Sequence, residues 1–146
     1  MTSFNFKLLH GLLPVRERLH HLTPTTSPSC TLCNEPVSED VQHALLTCSY
    51  NGGFGQALLD ILSTFIPDLT YGDLLLLQFP DLSEAQECSI VFFTSSFLLE
   101  IWSRRSKKEK VTLYEIRSSL EARCLLLRET RFRNQYQIII EILNQL

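Results

Sequence analysis

The stretch Cys30-Thr31-Leu32-Cys33-Asn34-Glu35-Pro36-Val37-Ser38-Glu39-Asp40-Val41-Gln42-His43-Ala44-Leu45-Leu46-Thr47-Cys48 governs the reading of everything around it. Its pattern is Cys-x2-Cys-x9-His-x4-Cys. Two thiolates three residues apart can grip one ion, because the loop between them turns back sharply, and a histidine and a third cysteine then supply the other two corners of a tetrahedron. Soft sulfur donors with one imidazole favour zinc over calcium or magnesium. All four corners are protein groups, so no position is left for water or substrate, and a single closed Zn2+ of structural role is expected at Cys30, Cys33, His43 and Cys48. The plainer alternative is three buried thiols and a surface histidine. Against it, four suitable residues fall close together in a loop-rich segment poor in other core builders.

One geometric condition follows. His43 and Cys48 are five residues apart, and five residues of a regular helix rotate a side chain by about 140°. Both can meet one ion only if that helix is short, distorted or finished before Cys48. Asp40 is placed to cap its start, and Asn51-Gly52-Gly53 is placed to end it.

Upstream, Phe4–Leu13 and Val15–Leu22 read as short helices, with Pro14 opening the second. Thr23–Ser29 (TPTTSPS) is an extended connector. Downstream, Phe54–Phe65 carries apolar residues at spacings of three and four, and Pro67 stops it. Residues 68–80 stay open between a short buried helix and an extended run. Ser83-x2-Gln86 fits a capping box that starts a long helix through Trp102 to about Arg105. Ser103–Lys110 (SRRSKKEK) then reads as an exposed connector or frayed helix end. Thr112-x2-Glu115 is a second capping box, followed by an apolar face of Leu113, Ile116, Leu120, Cys124 and Leu127. Arg131 falls on that stripe, whereas Phe132, Tyr136, Ile139, Ile140 and Leu143 centre on one rotated by about 140°. The helix therefore breaks near Thr130, or its second half packs against something different. Cys88 and Cys124, each inside an apolar helical stretch, are expected to be core thiols. The fold class is all-α: a helical lead and small zinc-knuckle module over residues 1–53, then a helical bundle body over 54–146 with a basic C-terminal third.

The 146 residues carry a formal net charge of −3, and 45% of them are hydrophobic, enough for a core and too neutral for a globally basic nucleic-acid binder. The average hides a division. Residues 49–100 contain seven acids and neither Lys nor Arg, whereas residues 101–146 contain ten basic residues against five acidic ones. Lys7, Arg16 and Arg18 make the first third mildly basic as well. The most apolar stretch, Ile90–Trp102, is interrupted by Thr94, Ser95, Ser96 and Glu100, so no membrane span is expected. Lys7, His10, Gly11 and Arg16 break up any secretory apolar core, which leaves an intracellular protein, nuclear or cytoplasmic, with thiols rather than disulfides.

The string from Phe6 to Tyr50 resembles the zinc-binding segment found downstream of the reverse transcriptase in non-LTR (LINE-like) retrotransposon proteins. The correspondence runs through Leu13-Pro14, Leu19, Cys30, Cys33, Glu39-Asp40, His43 and Cys48. Trp102-Ser103-Arg104-Arg105 and the arginine-bearing helix after it resemble the tail of such elements less specifically. The resemblance implies a structural knuckle that helps to hold template RNA or target DNA. Retroviral knuckles have four residues between the second Cys and the His where this chain has nine, so their compact mode of base recognition does not transfer. No polymerase carboxylate set or endonuclease is present in these residues.

Phosphate contact requires Lys and Arg, and stacking requires aromatic or guanidinium planes. The candidates are Arg16, Arg18, His20 and His21 before the knuckle, and Arg104, Arg105, Lys107, Lys108 and Lys110 after the long helix. Their plainer reading is a solvated helix end and connector, and Arg117 and Arg128 read as cations lying beside an apolar stripe. Catalysis is not expected: there is no nucleophile elbow, phosphate-cradling Gly loop or H-E-x-x-H, and the His20–His21 pair has only Glu17 near it at a helical spacing. Two other readings stand beside nucleic-acid binding. One is a zinc-stapled module that binds a protein partner, or a second copy, through the shifted face from Phe132 to Leu146. The other is a retrotransposon relic without function.

Overall fold

A computed structural model describes residues 3–110, 112–128 and 133–145. Among the described residues seven α-helices follow in order: α1 (Ser3–Leu9), α2 (Arg16–Leu22), α3 (Phe54–Ser63), α4 (Tyr71–Leu76), α5 (Glu84–Ser106), α6 (Leu113–Arg128) and α7 (Arg133–Leu143). Between α2 and α3 lie a π-helical turn, His43–Thr47, and a 3-10 turn, Ser49–Asn51. No strand occurs among the described residues, and only an isolated antiparallel bridge joins Ser29 to Ser38. The chain is all-α, with a small Cys/His module in front of a helical body. No described helix is long and apolar enough to cross a membrane.

The body is built on α5. Its Phe93, Phe97, Leu98 and Ile101 are fully or almost fully buried against Ile116, Leu120 and Cys124 of α6 and Ile139, Ile142 and Leu143 of α7. Each such side chain contributes about 1.5–3 kcal/mol on leaving water. The C-terminal stripe that the sequence left without a partner is therefore an inner face, since α6 and α7 are separate elements that each pack on α5. Ile139 and Leu143 are 0% and 1% exposed. Phe132, Thr130 and Arg131 lie outside the described residues, as do Leu146 and the side chains of Leu127 and Arg128.

Polar groups join α5 to α6 as well. Glu100 accepts from Arg104 Nε (3.1 Å), Ser119 Oγ (2.9 Å) and Arg123 Nη2 (3.2 Å). Both expected caps are present: Gln86 Oε1 takes the amide and hydroxyl of Ser83 at 3.1 and 2.6 Å, and Glu115 takes those of Thr112 at 2.8 and 3.0 Å.

One open reading is resolved and several expectations are revised. Residues 68–80 contain a helix, α4, capped by Thr70 and Asp73 and closed at Leu77 in the left-handed region (φ 52°). That Thr-x2-Asp box is the signal an apolar leucine run conceals. Pro14 does not open α2, because Val15 is its extended N-cap and Arg16 its first residue. Cys88 is exposed, since neighbouring Ser89 and Ile90 turn inward at this point of α5, whereas Cys124 is buried as expected. α5 runs to Ser106, close to the end its capping box implied, but Arg105 in this last turn is buried rather than exposed.

Module and body share one apolar core. Leu45 and Leu46 of the π turn meet Leu58 and Leu62 of α3, while α1 packs on α4 through its Phe4 and Leu8 face. The closest approach is at Gly55. A Cβ there would stand 2.1 Å from the Leu46 carbonyl oxygen, so only glycine lets α3 lie against the turn.

Candidate metal centre

The module is assembled from three local devices. Residues 28–39 fold back on themselves, with Cys30 N–H donating to the Val37 carbonyl (3.0 Å) and Glu39 N–H to that of Pro28 (2.9 Å). This places Cys30 and Cys33 side by side in a bend. Asp40 Oδ1 then accepts the His43 amide at 2.6 Å, fixing the start of the next turn. Finally the backbone widens: Cys48 N–H donates to the His43 carbonyl (2.9 Å), an i→i+5 bond. Residues five apart in a π turn are hydrogen-bonded neighbours on successive turns, which meets the condition set by the His43–Cys48 spacing. Cys48 itself is already extended (ψ 125°), and the Ala44 carbonyl is satisfied by Asn51 Nδ2 at 2.9 Å.

The four side chains converge. Cys30 Sγ lies 3.9 Å from Cys48 Sγ, Cys33 Sγ lies 3.4 Å from His43 Nε2, and all four donor atoms fall within 4.8 Å of one another. With ordinary metal–sulfur and metal–nitrogen bond lengths, the edges of a tetrahedron are about 3.8 Å for S–S and about 3.5 Å for S–N. The two close pairs match those edges, so the residues fit a tetrahedral ion. Cys30, His43 and Cys48 are buried and Cys33 lies half-buried at the rim.

Electrostatics separates the two thiols of the Cys-x2-Cys bend. Burial alone would push the Cys30 thiol up, but the amides of Cys33 and Leu32 and the guanidinium of Arg105 bring it down to about 7. Cys33 lacks such a cation. Burial, together with the neighbouring sulfurs of Cys30 and Cys48, raises it to about 11, despite a stabilising amide from Glu35.

Arg105 is the residue that sequence reasoning misplaced. It was a candidate for surface phosphate contact; it is only 5% exposed and points into the module from the last turn of α5. Its Nη2 donates to Glu39 Oε2 (2.6 Å) and to Cys30 Sγ (3.1 Å), and its Nη1 donates to Cys48 Sγ (3.3 Å). Glu39 faces two ways, since its Oε1 accepts the Arg16 amide at the start of α2 (3.2 Å) and its carbonyl accepts that of Glu17 (3.1 Å). A pairing across 66 residues leaves no periodic trace. Its only sequence hint is the pair of charged residues inside two otherwise separate motifs, Glu39-Asp40 and Trp102-Ser103-Arg104-Arg105.

The other basic candidates are dispersed. Arg104 is engaged by Glu100 and Glu109, at 3.1 and 3.3 Å. Arg18 donates to the Gly11 carbonyl (2.6 Å), and His20 is hydrogen-bonded to that of Thr26 (2.7 Å), so both serve the α1–α2 connection and its exit loop. Arg16 and Lys108, distant in sequence, both line one groove of about 280 Å³ with Leu19, Leu32, Glu39 and Trp102. Lys110 lines a second hollow beside Cys33 and Tyr50. Lys107 is exposed, and His21 is exposed on α2.

Residues 1–54 match the protein family described as zinc-binding in reverse transcriptase, over the span in which the sequence resemblance was recognised. No curated protein and no solved structure matches the chain.

Proposed function

We propose that the module binds one structural zinc ion through Cys30, Cys33, His43 and Cys48, and that the front of the molecule holds single-stranded RNA or DNA without catalysing a reaction. The donor set and the matched family support the first part. Zinc would supply the closure of the loop; the chain's own residues would supply the contacts. The observation that carries the second part is the groove lined by Arg16, Lys108 and Trp102, where Arg16 Nε donates to the Ser27 carbonyl and the one acid, Glu39, is paired with Arg105. Cations at its margins suit the phosphates of a backbone, and a half-buried indole gives a face on which a base can stack. Lys107 is exposed and Lys110 lines a hollow beside Cys33, whereas the acids of residues 49–100 belong to α3–α5 and their connections.

The test is fluorescence anisotropy of a labelled single-stranded oligonucleotide across a salt series. The affinity is expected to fall linearly on logarithmic axes, with a slope of about −0.7 per phosphate contacted. Lys108→Glu with Lys110→Glu should flatten that slope. The Tyr50 hydroxyl bonds only the backbone carbonyl of Lys108, so that contact survives the change. Trp102→Ala should cost about 1–3 kcal/mol of binding while leaving the salt slope in place. Binding that ignores salt, or that is untouched by these substitutions, would overturn the reading.

A further inference from the structure

Arg105 does more in the structure than fill a buried position. Its two Nη atoms reach Cys30 Sγ and Cys48 Sγ, at 3.1 and 3.3 Å, and those sulfurs stand 3.9 Å apart. That is close to the S–S edge of about 3.8 Å a tetrahedral thiolate site requires. The fork is itself held by Glu39 at 2.6 Å, and both charged side chains are under 10% exposed. Within the metal cluster, Arg105 contacts the sulfurs of the two buried cysteines, while Cys33 at the rim is left to the His43 side.

We propose that Arg105 is a positioning residue for the metal, holding Cys30 and Cys48 at ligand spacing and balancing the charge of the loaded site. The proposal rests on the metal reading above and is independent of nucleic-acid binding. Its charge logic is simple. Three thiolates around a divalent ion leave one net negative charge in a buried place, and Glu39 adds a second. A guanidinium between them offsets one charge and gives N–H donors to two of the sulfurs, the kind of outer partner that raises metal affinity by orienting its ligands. Lysine cannot reproduce this, because an ammonium is a point charge without the planar fork. The arrangement has a structural consequence too. Arg105 belongs to the last turn of α5, so metal binding at residues 30–48 is coupled to the end of the longest helix of the body.

The experiment uses the full chain, with zinc affinity measured by chelator competition for wild type, Arg105→Gln, Arg105→Lys and Glu39→Gln. Arg105→Gln is expected to bind zinc about 10–100-fold more weakly. Arg105→Lys should fall between it and wild type, and Glu39→Gln should weaken binding by releasing the fork. In the cobalt-substituted proteins the thiolate-to-metal charge-transfer bands should shift in Arg105→Gln, because two sulfurs lose their N–H donors. A purely structural tie would lower folding stability and leave those bands and the affinity alone, which would overturn the proposal. Should Arg105→Gln lose its fold, hydrogen exchange on the wild type decides. Zinc should slow exchange at the α5 end, residues 102–106, as well as in residues 30–48, and protection confined to the module would overturn the coupling. Failure of the wild type to take up zinc would sink the metal reading itself, a result separable from equal zinc binding by wild type and variants.

Discussion

The metal module and the three-helix body use opposite means to become rigid. In the body, α5, α6 and α7 meet through Phe93, Phe97, Ile116, Leu120, Ile139 and Ile142, all 0–1% exposed. Its order comes from many interchangeable apolar contacts. The module has Leu45 and Leu46 facing the core, but the shape of residues 28–51 is set by a few directed bonds. These are the Asp40 cap, the His43–Cys48 π bond, the Asn51 side chain on Ala44, and the Arg105–Glu39 pair beside the sulfurs. Apolar order degrades gradually when one group is removed. Directed order fails at single atoms, and the two regions should therefore respond differently to single changes.

The largest contrast should come from the metal. Structural zinc sites in small domains have binding free energies on the order of 10 kcal/mol near neutral pH. Chelation, or Cys48→Ser, is expected to expose the amides of residues 28–51 to exchange while α5–α7 keep their helical circular dichroism. Loss of helicity throughout would show that the module is not separable in this way. The same site predicts a pH response. Cys33, raised to about 11, must give up a proton to bind, and Cys30, lowered to about 7, must do so only below that pH, so zinc affinity should fall as pH drops from about 11 and fall more steeply below about 7. Metal titrations at a series of pH values check the sign.

The converse change sits in the body. Phe97→Ala removes a fully buried ring and should cost about 3–5 kcal/mol in denaturant unfolding. Zinc affinity measured well below the unfolding midpoint should stay near that of wild type. A parallel loss of affinity would mean that the body, rather than the directed bonds, positions the ligands.

These two regions were unequally legible before the fold was known. The four metal ligands could be read because their chemistry is rare and their spacing short, and even the need for a distorted helix followed from five residues and 100° per residue. The capping boxes at Ser83 and Thr112 and the face of Ile116, Leu120 and Cys124 were legible for similar reasons, being local and periodic. What failed was long-range or conditional. Arg105 looks like its neighbours Arg104 and Lys107 in sequence, and only the arrival of Glu39 from 66 residues away distinguishes it. Cys88 and Cys124 look alike as cysteines in apolar helices, yet one faces out and the other in. The rotated stripe of Ile139 and Leu143 left open whether the helix breaks or packs on something different; α6 and α7 are separate helices, and each packs on α5.

At the seam, Gly55 offers a sharper comparison. A Cβ there would meet the carbonyl oxygen, Cα and carbonyl carbon of Leu46 at 2.1–2.5 Å, and backbone cannot step aside as a side-chain tip can. Overpacking a core typically costs about 1–3 kcal/mol. Gly55→Ala should reach the upper part of that range by pushing α3 off the π turn. Because the turn carries His43 and leads into Cys48, zinc affinity should fall together with stability, unlike the outcome for Phe97→Ala. Calorimetry paired with chelator competition separates the two results, and unchanged affinity would mean the turn holds its shape without α3.

The smallest effect is expected where the body runs into the groove. After Ser106 the chain closes α5 with Lys108 N–H on the Arg105 carbonyl (2.9 Å) and Glu109 N–H on that of Arg104 (3.0 Å), a Schellman-type ending. The residue that must be left-handed in this ending is Lys108, at φ 58°, where glycine is the usual occupant. A side chain in that conformation costs about 1–2 kcal/mol. Lys108→Gly relieves the cost and loses about 0.4–1 kcal/mol through the greater freedom of the unfolded chain, for a net stabilisation of roughly 1 kcal/mol. The same change deletes a cation from the groove shared with Arg16 and Trp102. If the groove holds nucleic acid as proposed, one substitution should raise the thermal midpoint by a few degrees and weaken oligonucleotide binding. A gain in stability with undiminished binding would show that the lysine occupies this strained position for some reason other than phosphate.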